Sequence, residues 1–115
     1  TGDMVGNLNE VYEAIDVLKH QGPADVLELT LTLCADLLLS CKVDPSLPAA
    51  KERLTKLIAN GSAYERFEKM VAHQSGCLAE LPSLARSDAF ASERTGLLQQ
   101  VDCYAVGMAI IALGG

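Results

Sequence analysis

Tryptophan is missing from this chain, and aromatic residues make up only 4 % of its 115 positions. A core without large rings has to be built from Leu, Val, Ile and Ala. Such residues help raise the apolar content to 50 %, well above a disordered composition and enough for one domain. Cysteine is sparse and unpatterned: Cys34, Cys41, Cys77 and Cys103 contain no CxxC pair and no dense spacing. That excludes a zinc ribbon and a disulfide framework. Cys34 and Cys41, seven positions apart, fall on one face of a helix, and all four read as free, buried thiols in a reducing compartment.

Long apolar runs are absent too. The greasiest stretch, 26–41, carries Glu28 and Asp36 and is too short to span a bilayer comfortably. No signal peptide is visible, so the reading is cytoplasmic, with no membrane partner. Positive charge is in short supply: 9 Lys and Arg stand against 15 Asp and Glu, for a net charge of −6. Through residue 28 the acids Asp3, Glu10, Glu13, Asp16, Asp25 and Glu28 face only Lys19. The mild basic excess between 42 and 73 is interrupted by acids and cannot track a phosphate backbone, so nucleic acid is not a partner. No Walker loop and no GxGxxG occurs to cradle phosphate. No Ser/His/Asp grouping suggests itself, and His20 and His73 sit at helix ends, where a cation suits the dipole. No catalytic or substrate-binding residue is assigned.

What the sequence does contain is helical periodicity. In GNLNEVYEAIDVL (6–18), Asn7 and Glu10 have the spacing of a capping box, and Leu8, Val11, Tyr12, Ile15 and Leu18 form one apolar stripe. Gln21-Gly22-Pro23 ends that helix, and Pro23 opens a second over about 24–42 that is apolar nearly all round. Such a helix has to be surrounded by other elements. Asp44-Pro45 breaks it. A third helix spans 47–59 with Leu47, Ala50, Leu54, Leu57 and Ile58 inward, and Asn60-Gly61 stops it. Ser62 with Glu65 predicts another capping box for a fourth helix, whose apolar face is Tyr64, Phe67, Met70 and Val71 and which ends at Ser75-Gly76. Beyond it, 88–93 and 97–101 read as two short strands about Thr95-Gly96, and 103–113 as a last helix. The expected organisation is a helical segment, 1–75, followed by a loop, a short β-ribbon and a helix, 76–115. The poorly covered second helix and the final Gly114-Gly115 suggest an excerpt of a larger protein.

The acid pairs Glu10/Glu13 and Glu65/Glu68 have i,i+3 spacing and read as solvated helix surface rather than catalytic dyads. Glu13 falls nearly opposite the Leu8–Val11–Ile15 stripe. It gains a role only if another segment lies over that face. The chain just upstream, 1–5, is the candidate, since its free carbonyls could join a carboxylate around a hard cation.

The stretch from Gly2-Asp3-Met4-Val5-Gly6-Asn7 through Glu10-Val11-Tyr12-Glu13-Ala14 resembles the LG–x–x–x–GN–x–x–EV–x–EA segment of thymidine and pyrimidine-nucleoside phosphorylases. The similarity continues through Gly22-Pro23-Ala24-Asp25-Val26, Leu31-Thr32-Leu33, Asn60-Gly61-Ser62-Ala63, Phe67 and Met70-Val71-Ala72-His73-Gln74, and on to Gly96 and Val106-Gly107-Met108-Ala109. It is loose over 41–54 and 75–95. The resemblance implies an α/β enzyme, of which this chain is a mainly α-helical part (four to five helices) of the larger domain. It implies reversible phosphorolysis of a pyrimidine nucleoside with phosphate as co-substrate, a role in nucleotide salvage, and a homodimer. The family's phosphate loop and pyrimidine grip match no positions here. Its monovalent-cation site, for potassium, does map: the ligands become the Thr1 and Met4 carbonyls and the Glu13 carboxylate, with Thr1 standing where the family usually has Leu. Two other classes compete: a non-catalytic helical interaction module that docks a partner on the second helix, and a related phosphoribosyltransferase, against which the strand–turn–strand–helix segment argues.

Overall fold

Apolar residues at helical spacing, punctuated by Gly, Pro and Asn, produce four consecutive helices in the computed structural model, which describes residues 2–114. They are α1 (Leu8–Leu18), α2 (Ala24–Ser40), α3 (Leu47–Ala59) and α4 (Ser62–His73). A single 3₁₀ turn at Leu78–Glu80 follows, then an irregular stretch, and finally α5 (Cys103–Ala112). Helix α2 packs on α3, α3 on α4, and α4 on α1. Lys19 seals the last of these contacts, its Nζ lying 4.6 Å from the centre of the Tyr64 ring.

The core of this bundle is thin. Ile15 and Val17 of α1, Leu31 and Ala35 of α2, and Ala50 and Ile58 of α3 are its buried apolar members. Val17 lies off the predicted stripe. It is covered because Gly22 packs flat against it, where any Cβ would strike the Val17 side chain and backbone. The leucine surplus of α2 is left uncovered, with Leu33 62 % and Leu37 63 % exposed and Leu29 in line with them one turn earlier. A radius of gyration of 17.3 Å, against the roughly 13–14 Å expected of a compact chain this long, agrees with a molecule that encloses little.

The helix ends depart from the expected chemistry. Asn7 does not cap α1 with its side chain. Instead Glu10 reaches back one residue further and accepts from the Gly6 N–H at 2.7 Å, and Asn9 donates to the Val5 carbonyl at 2.9 Å. The Ser62–Glu65 box is also absent: Gly61, at φ +80°, precedes α4, Asn60 Oδ1 accepts from Ser62 N–H, and Glu65 is engaged by Lys69 at 2.6 Å. Pro23 stands just ahead of α2 rather than in its first turn. Three helices stop on a left-handed residue other than Gly, at His20, Lys42 and Ser75. In each case the next N–H reaches back to close the turn: Gln21 to Asp16, Val43 to Leu38, and Gly76 to Val71.

The predicted β-ribbon is a correction: among the described residues there is no strand. A two-stranded ribbon needs a third layer over one of its faces. Here 88–101 has none, and Phe90 is 97 % and Leu97 93 % exposed. The thiols are corrected in part. All four are free, but Cys34 is only half-buried and Cys41, Cys77 and Cys103 are exposed.

The α2–α3 connection is fixed electrostatically. Asp44, 8 % exposed, meets Arg53 at 3.2 Å, and its second oxygen is buried with no hydrogen-bond partner. Farther along the same interface, Lys51 lies 2.6 Å from Glu28 and, together with the Thr32 hydroxyl, holds the Glu28 carboxyl below its ordinary range. Arg53→Ala would strand the Asp44 charge and should cost about 2–3 kcal/mol, below the usual figure for a buried pair because the arginine is half exposed. Arg53→Ala combined with Asp44→Leu should recover most of that loss. Urea denaturation of the two variants provides the check.

Candidate functional site

The segment ahead of α1 has no regular structure, so its backbone N–H groups need partners from elsewhere. Carboxylates supply them. Gly2 N–H donates to Asp25 Oδ2 at 3.1 Å. Asp3 and Met4 N–H both donate to Glu13 Oε1, at 2.7 and 3.1 Å. Gly6 N–H donates to Glu10. Three of the acids crowded into the first 28 residues thus hold one short strap of backbone against α1 and the start of α2.

Gly2 is what allows so close an approach. Its φ of +76° is a left-handed conformation, and a Cβ there would run into Glu13 Oε2 and come within 2.8 Å of Val26 Cγ2. Glu13 is therefore not the freely solvated carboxylate its helix position suggested. It is half-buried beneath residues 2–4. Asp25, bonded by the Gly2 N–H, has its carboxyl held below the ordinary aspartate value.

Of the three expected cation ligands, Thr1 lies outside the described residues. The structure brings the other two together through the Met4 N–H, not the Met4 carbonyl. That carbonyl belongs to the next peptide plane and, among the described residues, accepts no hydrogen bond. Glu13 Oε2 likewise receives no donor from them. Beside these atoms lies an open cleft of about 490 Å³ whose lining includes Asp3, Met4, Glu13, Asp16, Tyr12 and Leu84. Oxygens without donors among the described residues are the kind of group that a hard cation takes. Among the described residues no cluster of three or more His, Cys, Asp and Glu side chains is built to hold a metal ion.

A second cleft, about 580 Å³, opens between the end of α1 and α4, lined by the apolar Leu18, Phe67 and Met70 and by Arg66, Lys69 and His73. It contains no nucleophile–base pair. Sequence reasoning missed Asp25, Tyr12 and Leu84 as neighbours of the Glu13 region. The acidic bias of the first 28 residues was the available signal for Asp25; nothing local marks Leu84.

No helix among the described residues is long and apolar enough to cross a membrane. No family model matches the chain, and no solved structure does. Characterised proteins do match. The chain is 37 % identical over 114 residues to a thymidine phosphorylase of Mycobacterium tuberculosis, covering 98 % of this chain and 25 % of that protein. It is 32 % identical over 119 aligned positions to the pyrimidine-nucleoside phosphorylase of Bacillus subtilis, covering 98 % and 28 %. A thymidine phosphorylase of Burkholderia cenocepacia is 37 % identical over 118 positions, covering 96 % and 27 %. The resemblance first read in residues 2–15 therefore holds along nearly the whole chain, which spans about a quarter of the length of these relatives.

Two measurements test the carboxylate strap. Gly2→Ala should destabilise the protein by about 1–3 kcal/mol in urea denaturation, because the left-handed backbone and the Glu13 contact both resist a methyl group. Asp25 should titrate below the ordinary aspartate range. Its contribution to stability is then fully present above that range and disappears as pH falls through the lowered value. A carbon-detected NMR titration with an ordinary midpoint would show that the Gly2 bond is not kept in solution.

Proposed function

We propose that this chain is part of the α/β domain of a pyrimidine-nucleoside phosphorylase acting on thymidine or a close relative. One observation carries the reading: collinear similarity along 98 % of the chain to proteins bearing those names. In the reaction phosphate attacks C1′, the C1′–N bond breaks, and the base departs with the bonding pair and takes up a proton. The products are free base and (deoxy)ribose 1-phosphate. The groups that grip phosphate and pyrimidine are assigned to the parts of such an enzyme that this chain does not span. A cytoplasmic homodimer in nucleoside salvage goes with the same reading.

The contribution proposed for this chain is a monovalent-cation site, for which potassium is the natural candidate, using the Met4 carbonyl, the Glu13 carboxylate and the Thr1 carbonyl. When bound, the ion supplies positive charge between strap and helix. The chain's own part is to fix Glu13: two N–H donors on Oε1 orient the carboxylate and leave Oε2 facing the cleft beside Gly2. The phosphoribosyltransferase alternative loses its counter-argument with the missing ribbon, and the names of the relatives now weigh against it instead. An interaction module is favoured by one feature, the exposed Leu29–Leu33–Leu37 stripe. The rest of an intact enzyme would cover that stripe equally well.

Purified full-length protein should release free pyrimidine base from thymidine, deoxyuridine or uridine only when phosphate is present. Absence of phosphate-dependent release from all three would refute the assignment. Glu13→Gln in that protein should weaken the potassium dependence of the rate with the circular dichroism spectrum unchanged. A flat potassium titration in both parent and variant would remove the cation from the reading.

A further inference from the structure

The cleft beside Glu13 is not walled by the N-terminal strap alone. Its lining also includes Leu84, 45 % exposed, a residue 71 positions downstream of Glu13 and beyond all four packed helices. One hydrogen bond reaches back to it, beside the half-buried Leu78 and Leu81. The Tyr12 hydroxyl donates to the Pro82 carbonyl at 3.0 Å, across 70 residues of sequence. Among the described residues, 82–84 make no other hydrogen bond. Tyr12 stands one residue before Glu13 on α1 and is half-buried, so its ring and hydroxyl border the cleft whose carboxylate comes from the next position.

We propose that Tyr12 is a positioning residue: its hydroxyl fastens residues 82–84 so that Leu84 walls the Glu13 cleft, and this wall sets how tightly the cleft holds a monovalent cation. The inference rests on the cation reading above and adds to it a part of the chain that contributes no ligand. The physical link is dielectric. Asp3, Glu13 and Asp16 all line the cleft, but carboxylates open to bulk water attract a cation weakly, because solvent and salt screen them. An apolar side chain at the rim, even one 45 % exposed like Leu84, displaces some of that water and so removes part of the screening. Among the described residues one neutral hydrogen bond fixes 82–84 themselves against the chain entropy of an irregular segment. The arrangement is therefore sensitive to one oxygen atom.

The test uses the full-length protein in choline buffer free of sodium and potassium, with rubidium-86 as the bound-ion tracer and potassium as competitor. The parent, Tyr12→Phe, Leu84→Ala and Glu13→Gln are compared, with backbone mobility at Ser83 and Leu84 followed by nitrogen-15 relaxation. Tyr12→Phe and Leu84→Ala should each weaken ion binding about 2- to 10-fold, the range that one net hydrogen bond or a modest apolar contact allows. Tyr12→Phe should also increase the backbone mobility of 83–84, whereas Glu13→Gln should abolish binding. If Tyr12→Phe fails to fold, Leu84→Ala carries the same comparison without touching α1. Should the parent bind no ion, or Glu13→Gln bind as the parent does, the cation reading fails and this inference with it. If Glu13→Gln loses the ion while Tyr12→Phe and Leu84→Ala bind as tightly as the parent, the wall is irrelevant and the inference alone is overturned.

Discussion

Backbone amides need partners, and in the first six residues of this chain carboxylates provide them. Gly2, Asp3, Met4 and Gly6 give their N–H groups to Asp25, Glu13 and Glu10. This one pattern explains several features at once. It accounts for half of the acids crowded before residue 29. It accounts for a glycine at position 2, where a left-handed backbone lies against Glu13 and Val26. It also places a non-helical strap over the polar face of α1, and this changes Glu13 from a solvated residue into a held one. Remove the carboxylates and, among the described residues, the strap has no other hydrogen bonds to keep it there beyond the Asn9–Val5 contact.

The helices behind the strap are held by comparatively little. Six apolar residues are buried, three helix pairs pack, and the α2–α3 turn depends on Arg53 neutralising a buried Asp44. The leucines of α2 face two ways. Leu31 and Ala35 meet α3, while Leu29, Leu33 and Leu37 present a second apolar face to solvent. Helix α5 is similarly bare, with Tyr104 78 % exposed. A chain that spans a quarter of its relatives' length and leaves two greasy helices uncovered has the surfaces expected of a part that packs against more protein. Such surfaces also explain why the ribbon expected at 88–101 does not form, since strands of Phe90, Leu97 and Leu98 need a layer to lie on.

Legibility in the sequence followed the range of the interactions. Helices α1 and α3 have the expected bounds, because apolar spacing and Asn-Gly or Pro signals are local. The caps were less legible. Asn7–Glu10 and Ser62–Glu65 have the right spacing, but spacing does not say whether Glu65 prefers its own helix start or Lys69 one turn on. With a cation within reach, the ion pair was formed. The left-handed stops at His20, Lys42 and Ser75 gave no signal, since Gly is the residue normally looked for there. At the candidate site, Glu13 could be placed on its helix face and the upstream segment named as its partner. That the amides would face it first, and that Leu84 would return to the same cleft, depends on contacts across 10 and 70 residues. No periodicity encodes contacts of that kind.

The alternation of peptide planes reconciles amide contacts with a cation. A trans peptide points its N–H and its C=O in opposite directions, so the planes that give the Asp3 and Met4 N–H groups to Glu13 turn the Gly2 and Asp3 carbonyls away from it. The Met4 carbonyl belongs to the following plane and is free of that constraint. Glu13 itself has spent one oxygen on two donors and keeps the other. A carboxylate already half-satisfied offers a weaker field than a bare one, although Asp3 and Asp16 add negative charge to the same cleft. Hard divalent cations are usually held by several carboxylates or keep much of their water. In the cation reading proposed above, the amide bonds therefore orient Glu13 and leave it one oxygen for the ion, in a cleft that Asp3 and Asp16 also line.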